Sequence, residues 1–355
     1  MRRLPVYFVI DVSESMVGEP IKKVEDGIRS IITALKKDPH ALETVYISII
    51  VFAGKAKTLV PLTDIISFYP PKFSIGSGTS YGQGIKHLIT ELETNVIKTT
   101  HETKGDWKPI IFFMTDGNPT DDFIIDIGRW EQHWKDKSNV VVVSIGDHTS
   151  SSILKRISNE IIAFDDSDPE SYTAFFKWVT SSIQVQSQRV EEGTGNSALE
   201  LGGFDKSKLK KIDPFNENEI QNVDEHCAIF NGKCQTTKKA YLVKYKKGSH
   251  NAGFVDMPNL STINYRLDGS YVLDDNYLEL SDSSEEKSQQ NSVSTELLRG
   301  IPNCPSCGNR FAMAVCSCGN IFCLDGGGLQ TCPHCGIAGN YGAGDGHIDI
   351  KRQQG

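Results

Sequence analysis

The sequence predicts an α/β fold: a doubly wound, mostly parallel sheet, followed by a small β-rich module and a C-terminal cysteine-rich ribbon. Three observations predict it. Short Val, Ile and Phe runs alternate with amphipathic stretches from Pro5 to about Gln184, the composition turns polar and glycine-bearing after residue 185, and seven of the nine cysteines lie between Cys304 and Cys335. At 355 residues the chain exceeds the usual size of one domain, so two or more are expected.

The strand candidates are PVYFVID (5–11), TVYISIIVF (44–52), AKTLVPL (56–62), PIIFFMTD (109–116), VVVVSIG (140–146) and EIIAF (160–164). Such near-continuous apolar runs suit a parallel sheet buried on both faces. Helical periodicity fills the gaps, in EPIKKVEDGIRSIITALKK with Pro20 in its first turn, SYGQGIKHLITELETNVIKT, DFIIDIGRWEQHWKDK, SSILKRIS, and DPESYTAFFKWVTSSIQV with Asp168 as N-cap. Residues 1–185 therefore form the doubly wound domain and 186–222 a linker. Residues 223–280 form a small β-rich module with Gly-Ser and Asp-Gly turns, 281–300 a second polar linker, 301–340 the ribbon and 341–355 a tail.

Composition excludes several function classes. With 37 Lys and Arg against 45 Asp and Glu, a net charge of −8 repels a phosphate backbone. The opening MRRLPVYFVIDVSES meets an acid too early for a secretory signal, and no apolar run reaches membrane-spanning length. Cysteines in tight pairs suit metal thiolates in a reducing compartment better than disulfides, so the expected location is the cytoplasm.

Chemistry concentrates where strands end. In an open parallel sheet, ligands bind beyond the carboxyl ends of the strands, and Asp11, Ser13 and Ser15 alternate at the end of the first. Their oxygens suit a hard dication. Thr79 in GSGTSYGQG and Asp116 in MTDGNPTDD lie where the fold places two neighbouring loops. A helix cap explains Ser13 or Ser15 alone, but not three oxygen-rich loops together. Asp121 and Asp122 read as acids at a helix N-terminus. The nearest histidines, His87 within a helix and His101 in a loop, offer no general base to this site. No phosphate-binding loop is present, and GSGTSYGQG is a poor dinucleotide fingerprint because no strong strand directly precedes it.

Cys304-Pro-Ser-Cys307-Gly and Cys332-Pro-His-Cys335-Gly are knuckles whose glycine lets the backbone turn beneath a metal. Four thiolates from two knuckles make a closed, structural Zn²⁺ site, and metal binding would supply the stability that so few apolar side chains cannot. Cys316, Cys318 and Cys323 leave the partition open: they belong with the first knuckle, with the second, or with both. Cys318 and Cys323 are counted with the knuckles as ligands, and His334 is a weaker candidate. Cys227 and Cys234 read as buried thiols of the β-rich module. Between 301 and 340 the only fixed charges are Arg310 and Asp325, which leaves the ribbon little basic surface for nucleic acid.

The set Asp11, Ser13, Ser15, Thr79 and Asp116 resembles a von Willebrand factor A domain with a metal-ion-dependent adhesion site, a Rossmann-like fold. With the Cys-rich C-terminal region, nearly the whole chain is similar to the TerY family of bacterial tellurium-resistance and stress systems. The resemblance implies Mg²⁺ (or Mn²⁺) held by the two serines and the threonine, with the aspartates acting largely through water. Glu14 departs from the pattern, standing where the family commonly has Gly, and is expected to face solvent. The implied function is a non-enzymatic adaptor whose metal takes an acidic group of a protein partner, working beside a Ser/Thr kinase and a metal-dependent phosphatase. Two rivals are a nucleic-acid-associated subunit, opposed by charge, and a zinc hydrolase, opposed by the closed thiolate set.

Overall fold

In the computed structural model, β1 (Leu4–Asp11) is buried along its whole length. The residues described are all except 1, 103, 147–148, 150, 166–167, 192–206, 212–225, 252–260, 282–291, 343–346 and 353–355. The chain divides into two units, Met1–Asn222 and Val223–Gly355.

In the first unit, β1 is followed by α1 (Glu19–Leu35), α2 (Pro39–Thr44), β2 (Val45–Phe52), β3 (Ala56–Asp64) and α3 (Tyr81–Asn95). Then come β4 (Ile110–Thr115), α4 (Ile124–His133), β5 (Asn139–Ile145), α5 (Ser151–Ile157), β6 (Ile161–Phe164), α6 (Pro169–Glu191) and β7 (Leu209–Lys211). The sheet order is β3-β2-β1-β4-β5-β6-β7, with β1, β2, β4, β5 and β6 parallel and β3 and β7 antiparallel at the edges. This is the expected doubly wound sheet. Chain order reverses between β1 and β4, so their carboxyl ends flank the crevice where such folds bind ligands. Val6 to Ile10 pair with Ile110 to Met114, which places Asp11 level with Thr115.

The helices form for reasons legible in the sequence. α1 buries Ile21, Val24, Ile28, Ile31 and Leu35 at helical spacing, begins after Gly18 and carries Pro20 in its first turn. Gly27 lets α1 approach α6: a Cβ there would run into the Phe176 ring. Asp168 caps α6 as expected, accepting from Glu170 N at 3.0 Å. α2 is an element that the sequence pattern does not predict. It is one short turn capped by Asp38, which accepts from Ala41 N at 3.1 Å, with Pro39 in its first turn.

The expected linker 186–222 is in part structure. α6 runs on to Glu191 and β7 closes the sheet edge on β6, while 192–206 and 212–222 lie outside the described residues.

The second unit joins what the sequence divides. β8 (Cys227–Lys233), β9 (Ala240–Asn251) and β10 (Ser261–Val272) form an antiparallel meander, followed by α7 (Tyr277–Leu280), β11 (Ser292–Ser294) and β12 (Leu298–Arg299). β13 (Phe311–Val315) and β14 (Ile321–Leu324) make a hairpin, β15 (Gly328–Thr331) and β16 (Ala338–Tyr341) another, and β17 (Asp349–Lys351) comes last. Six of these strands share one sheet, β12-β10-β9-β8-β14-β13, in which β14 of the ribbon lies parallel to β8 of the module. Tyr241 on β9 reinforces the join by donating its hydroxyl to Ala312 O at 2.7 Å. The expected linker 281–300 contributes β11 and β12, its residues 282–291 lying outside the described ones, and the expected tail contributes β17, which pairs with β11.

Candidate metal centres

The first centre is built at the switch point of the first sheet. Past Asp11 the chain turns through a 3-10 segment, Glu14–Met16. Asp11 Oδ1 accepts from Ser13 N at 2.9 Å, and its Oδ2 accepts from Thr115 Oγ1 at 2.7 Å. Ser13 Oγ lies 2.9 Å from Ser15 Oγ, and Ser15 Oγ donates to Asp116 Oδ1 at 2.7 Å. Asp11, Ser13, Ser15 and Thr79 are buried and Asp116 is half-buried.

These hydrogen-bonded spacings are also compatible with a bound Mg²⁺. Octahedral Mg²⁺ with oxygens at about 2.1 Å puts neighbouring ligands about 3.0 Å apart, and the Ser13, Ser15 and Asp116 oxygens stand at 2.9 and 2.7 Å. Both Asp11 oxygens are engaged by Ser13 N and Thr115, which suits a carboxylate that supports the site more than one that ligates directly.

Thr79 is brought to the same end by backbone stitching. Gly76 N donates to Val12 O at 2.9 Å and Ser80 N to Ala53 O at 2.8 Å. Thr79 N donates to Thr120 Oγ1 at 3.0 Å, while Thr120 N returns a bond to Thr79 O at 2.9 Å. Gly78, at φ +85°, makes the turn before it.

The surroundings are acidic. Burial first, then the nearby Asp11, Asp116 and Asp121 charges, hold the Tyr81 phenol well above its usual range, although its contact with Thr115 opposes the shift. Its hydroxyl donates to Gly117 O at 2.7 Å and lies 3.1 Å from Thr115 Oγ1. Such a pocket favours a cation.

Two expectations change here. Glu14 is buried rather than facing solvent. Asp121 does serve a helix N-terminus, but that of α3: its carboxylate accepts from Tyr81 N at 3.0 Å and Gly82 N at 2.9 Å. His87 is a satisfied surface-helix histidine, its Nε2 2.7 Å from Thr58 Oγ1, and His101 is exposed.

The cysteines of the second unit gather into two groups of four, Cys234, Cys304, Cys307 and Cys323, and Cys316, Cys318, Cys332 and Cys335, the sulfurs of each lying within 4.8 Å of one another. The two knuckles thus serve separate groups and do not combine into one. Cys234 joins the first, correcting its reading as a plain buried thiol, and Cys316 joins the second. Cys227 belongs to neither group. His334 turns away, its Nε2 3.0 Å from Ile321 O.

A tetrahedral ion with sulfurs at about 2.3 Å spaces them about 3.8 Å apart. The close sulfur pairs stand at 3.6 Å (Cys307–Cys323), 3.8 Å (Cys234–Cys323), 3.7 Å (Cys316–Cys335) and 3.9 Å (Cys318–Cys332). These lie far beyond a disulfide's S–S length of about 2.05 Å. The donor sets fit Zn²⁺.

Each knuckle is one hydrogen-bonded turn repeated. Cys304 N donates to Asn309 O and Gly308 N to Cys304 O, and Cys332 N to Ile337 O with Gly336 N to Cys332 O. Gly308 and Gly336 take φ +80° and +75°. Cys234 stands in the same turn, with Cys234 N donating to Lys239 O and Lys238 N to Cys234 O. Thr237 replaces the second cysteine, and Lys238, at φ 60°, replaces the glycine. With both replaced, no knuckle pattern is legible in the sequence at Cys234; the turn shows only in its backbone bonds and in the positive φ of Lys238.

Within each group the thiols divide. Burial raises Cys234, but donors from Thr237 and the Cys307 thiol outweigh it and bring it down to about 6, whereas burial, with Cys304 and Cys307 nearby, holds Cys323 well above the usual thiol range. The Cys318 backbone N–H and the Tyr341 hydroxyl bring Cys316 down to about 6. At Cys335 the Ile337 backbone N–H lowers the thiol, yet burial and three neighbouring sulfurs carry it to about 11. A bound dication would hold all four sulfurs of a group as thiolates.

Residues 6–178 match the family model of the von Willebrand factor type A domain, and residues 224–355 that of the TerY-C metal binding domain. No curated protein matches the sequence significantly. Among solved structures, proximal thread matrix protein 1 from the mussel byssus is 16% identical with a TM-score of 0.38, covering 50% of this chain and 47% of its own. A von Willebrand factor type A protein from Catenulispora acidiphila is 12% identical with a TM-score of 0.37, covering 52% of this chain and 43% of its own. The ArnB paralog VWA2 from Sulfolobus acidocaldarius is 12% identical with a TM-score of 0.37, covering 79% and 70%. The chain thus spans less than half the length of the first two, and nothing about its partners follows from these likenesses. Among the described residues, no helix is long and apolar enough to cross a membrane.

Proposed function

From the premise that this chain is a TerY-like protein, a von Willebrand factor type A domain followed by a TerY-C metal binding domain, we propose that it is a non-enzymatic, metal-dependent adaptor. The carrying observation is the oxygen chain Ser13–Ser15–Asp116, linked at 2.9 and 2.7 Å beside the buried Asp11 at the carboxyl ends of β1 and β4. When bound, Mg²⁺ (or Mn²⁺) would be held by Ser13, Ser15 and Thr79, with Asp11 and Asp116 supporting. A mainly hydroxyl shell leaves the ion electrophilic, and a partner's Asp or Glu completes it. Thr115 orients Asp11, and Thr120 with the Gly76–Ser80 stitches positions Thr79.

The two four-cysteine groups would hold Zn²⁺ as closed structural sites, since each offers four sulfurs and no open position. They build the fold of the second unit, which presents a further protein-contact surface. The partners proposed are a protein kinase and a metal-dependent Ser/Thr phosphatase of a bacterial tellurite-resistance or stress system in the cytoplasm. Co-purification from native extract tests this: kinase and phosphatase are retained in Mg²⁺ and lost in EDTA. Equal retention in both would oppose the reading.

A further inference from the structure

The two cysteine groups differ in their surroundings. Cys234, Cys304 and Cys323 are buried and belong to the main apolar core of the second unit, with Phe230, Tyr241 and Tyr245, and Cys307 packs against it half-buried. In the other group Cys318 and Cys335 are exposed. Its buried pair, Cys316 and Cys332, sits in a small cluster with Phe322 and Leu324. The hairpin that carries its second knuckle, β15–β16, pairs with no other strand among those described. An aromatic contact ties that hairpin down, Tyr341 against Phe322 at 5.0 Å between ring centres. Dissolved oxidants therefore reach sulfur in one group and meet packed side chains at the other.

Resting on the reading that both groups hold metal, we propose that the outer group, Cys316, Cys318, Cys332 and Cys335, is an oxidative modification site. A disulfide-class oxidant links two of its sulfurs and expels its ion, while the inner group keeps its own. The exposed Cys335 sulfur, kept as a thiolate by the bound ion, attacks one sulfur of the oxidant R–S–S–R, that S–S bond breaks, and one thiolate RS⁻ leaves. Cys316 Sγ, 3.7 Å away, then attacks the Cys335 sulfur and expels the second RS⁻. Two protein thiolates have lost two electrons, the oxidant has gained them as two thiolates, and the ion has lost two of its four ligands. Cys318 and Cys332, at 3.9 Å, form an equivalent pair for a second oxidant molecule. Cys307, the half-buried sulfur of the inner group, faces Cys323 at 3.6 Å within the packed core, so closing a bond there would disrupt that core.

The test uses the full-length chain loaded with Zn²⁺ and treated with oxidised glutathione. A chromogenic chelator reads metal release, and peptide mapping reads the sulfurs. The expected result is loss of half the zinc, one disulfide joining Cys316 to Cys335 or Cys318 to Cys332, all four inner thiols still reduced, and recovery with dithiothreitol and Zn²⁺. Cys227→Ser, which removes the thiol outside both groups, should release zinc as wild type does. Release of both ions together, a first disulfide within the inner group, no release at all, or a Cys227→Ser chain that no longer releases zinc overturns the proposal. A chain that never loads two ions overturns the two-metal reading as well, which separates the two failures.

Discussion

Ser15 donates its hydroxyl to Asp116 at 2.7 Å across 101 residues of chain, joining the turn after β1 to the end of β4. That bond exists because the strand order reverses between those two strands, so loops distant in sequence share one crevice. The separation also decides what mutations do there. Asp116 is half-buried in the loop after β4, so on the proposed reading its removal is expected to cost metal binding far more than folding.

Asp121 gives a pH-dependent prediction. Burial raises its carboxyl above the usual value despite the bonds from Gly82 and Tyr81. The folded state then binds more protons than the unfolded state, so this group's contribution is fully present below the unfolded value and fades as pH rises through the folded one. Melting temperature measured against pH, without divalent metal, should fall less across that acidic window in Asp121→Asn than in wild type. Asp121→Ala, which strands Tyr81 N and Gly82 N, should cost about 1–3 kcal/mol of stability near neutral pH.

Cys234 should behave as a metal ligand and Cys227 should not. Zinc content of the purified full-length chain is expected to drop by one ion in Cys234→Ser and to stay unchanged in Cys227→Ser. Equal zinc in both variants would return Cys234 to the role of a packed thiol.

Lys238 occupies the left-handed position that glycine fills in the other knuckles. Lys238→Gly should therefore stabilise the second unit by roughly 0.5–1 kcal/mol, while Gly308→Ala, at φ +80°, should destabilise it by about 1 kcal/mol. Denaturant midpoints with Zn²⁺ present check both signs.

What the sequence revealed follows from what is local. Apolar runs buried on both faces marked β1, β2, β4 and β5 to within a residue or two, and Asp11, Ser13, Ser15 and Asp116 were findable because each sits at the end of such a run. α2 is too short to show a period, and β7 reads as polar chain because an edge strand of three residues needs no apolar run. The unity of the second half has no local signature. The pairing of β14 with β8 links residues almost ninety apart, and no local pattern announces it. Cys234 is illegible for a related reason, since its turn keeps the knuckle's hydrogen bonds but neither its second cysteine nor its glycine.

The most direct measurement is the Mg²⁺ response of wild type beside Asp116→Ala, read as melting temperature and as capture of the same partner. Mg²⁺ about a hundredfold above its Kd should raise the wild-type melting temperature by roughly 5–10 °C. Asp116→Ala should show little rise and no Mg²⁺-dependent capture, while melting without metal close to wild type. An equal Mg²⁺ rise in the variant, or partner capture that still depends on the metal, would contradict the account and leave the serines after β1 as a turn that merely leads into α1.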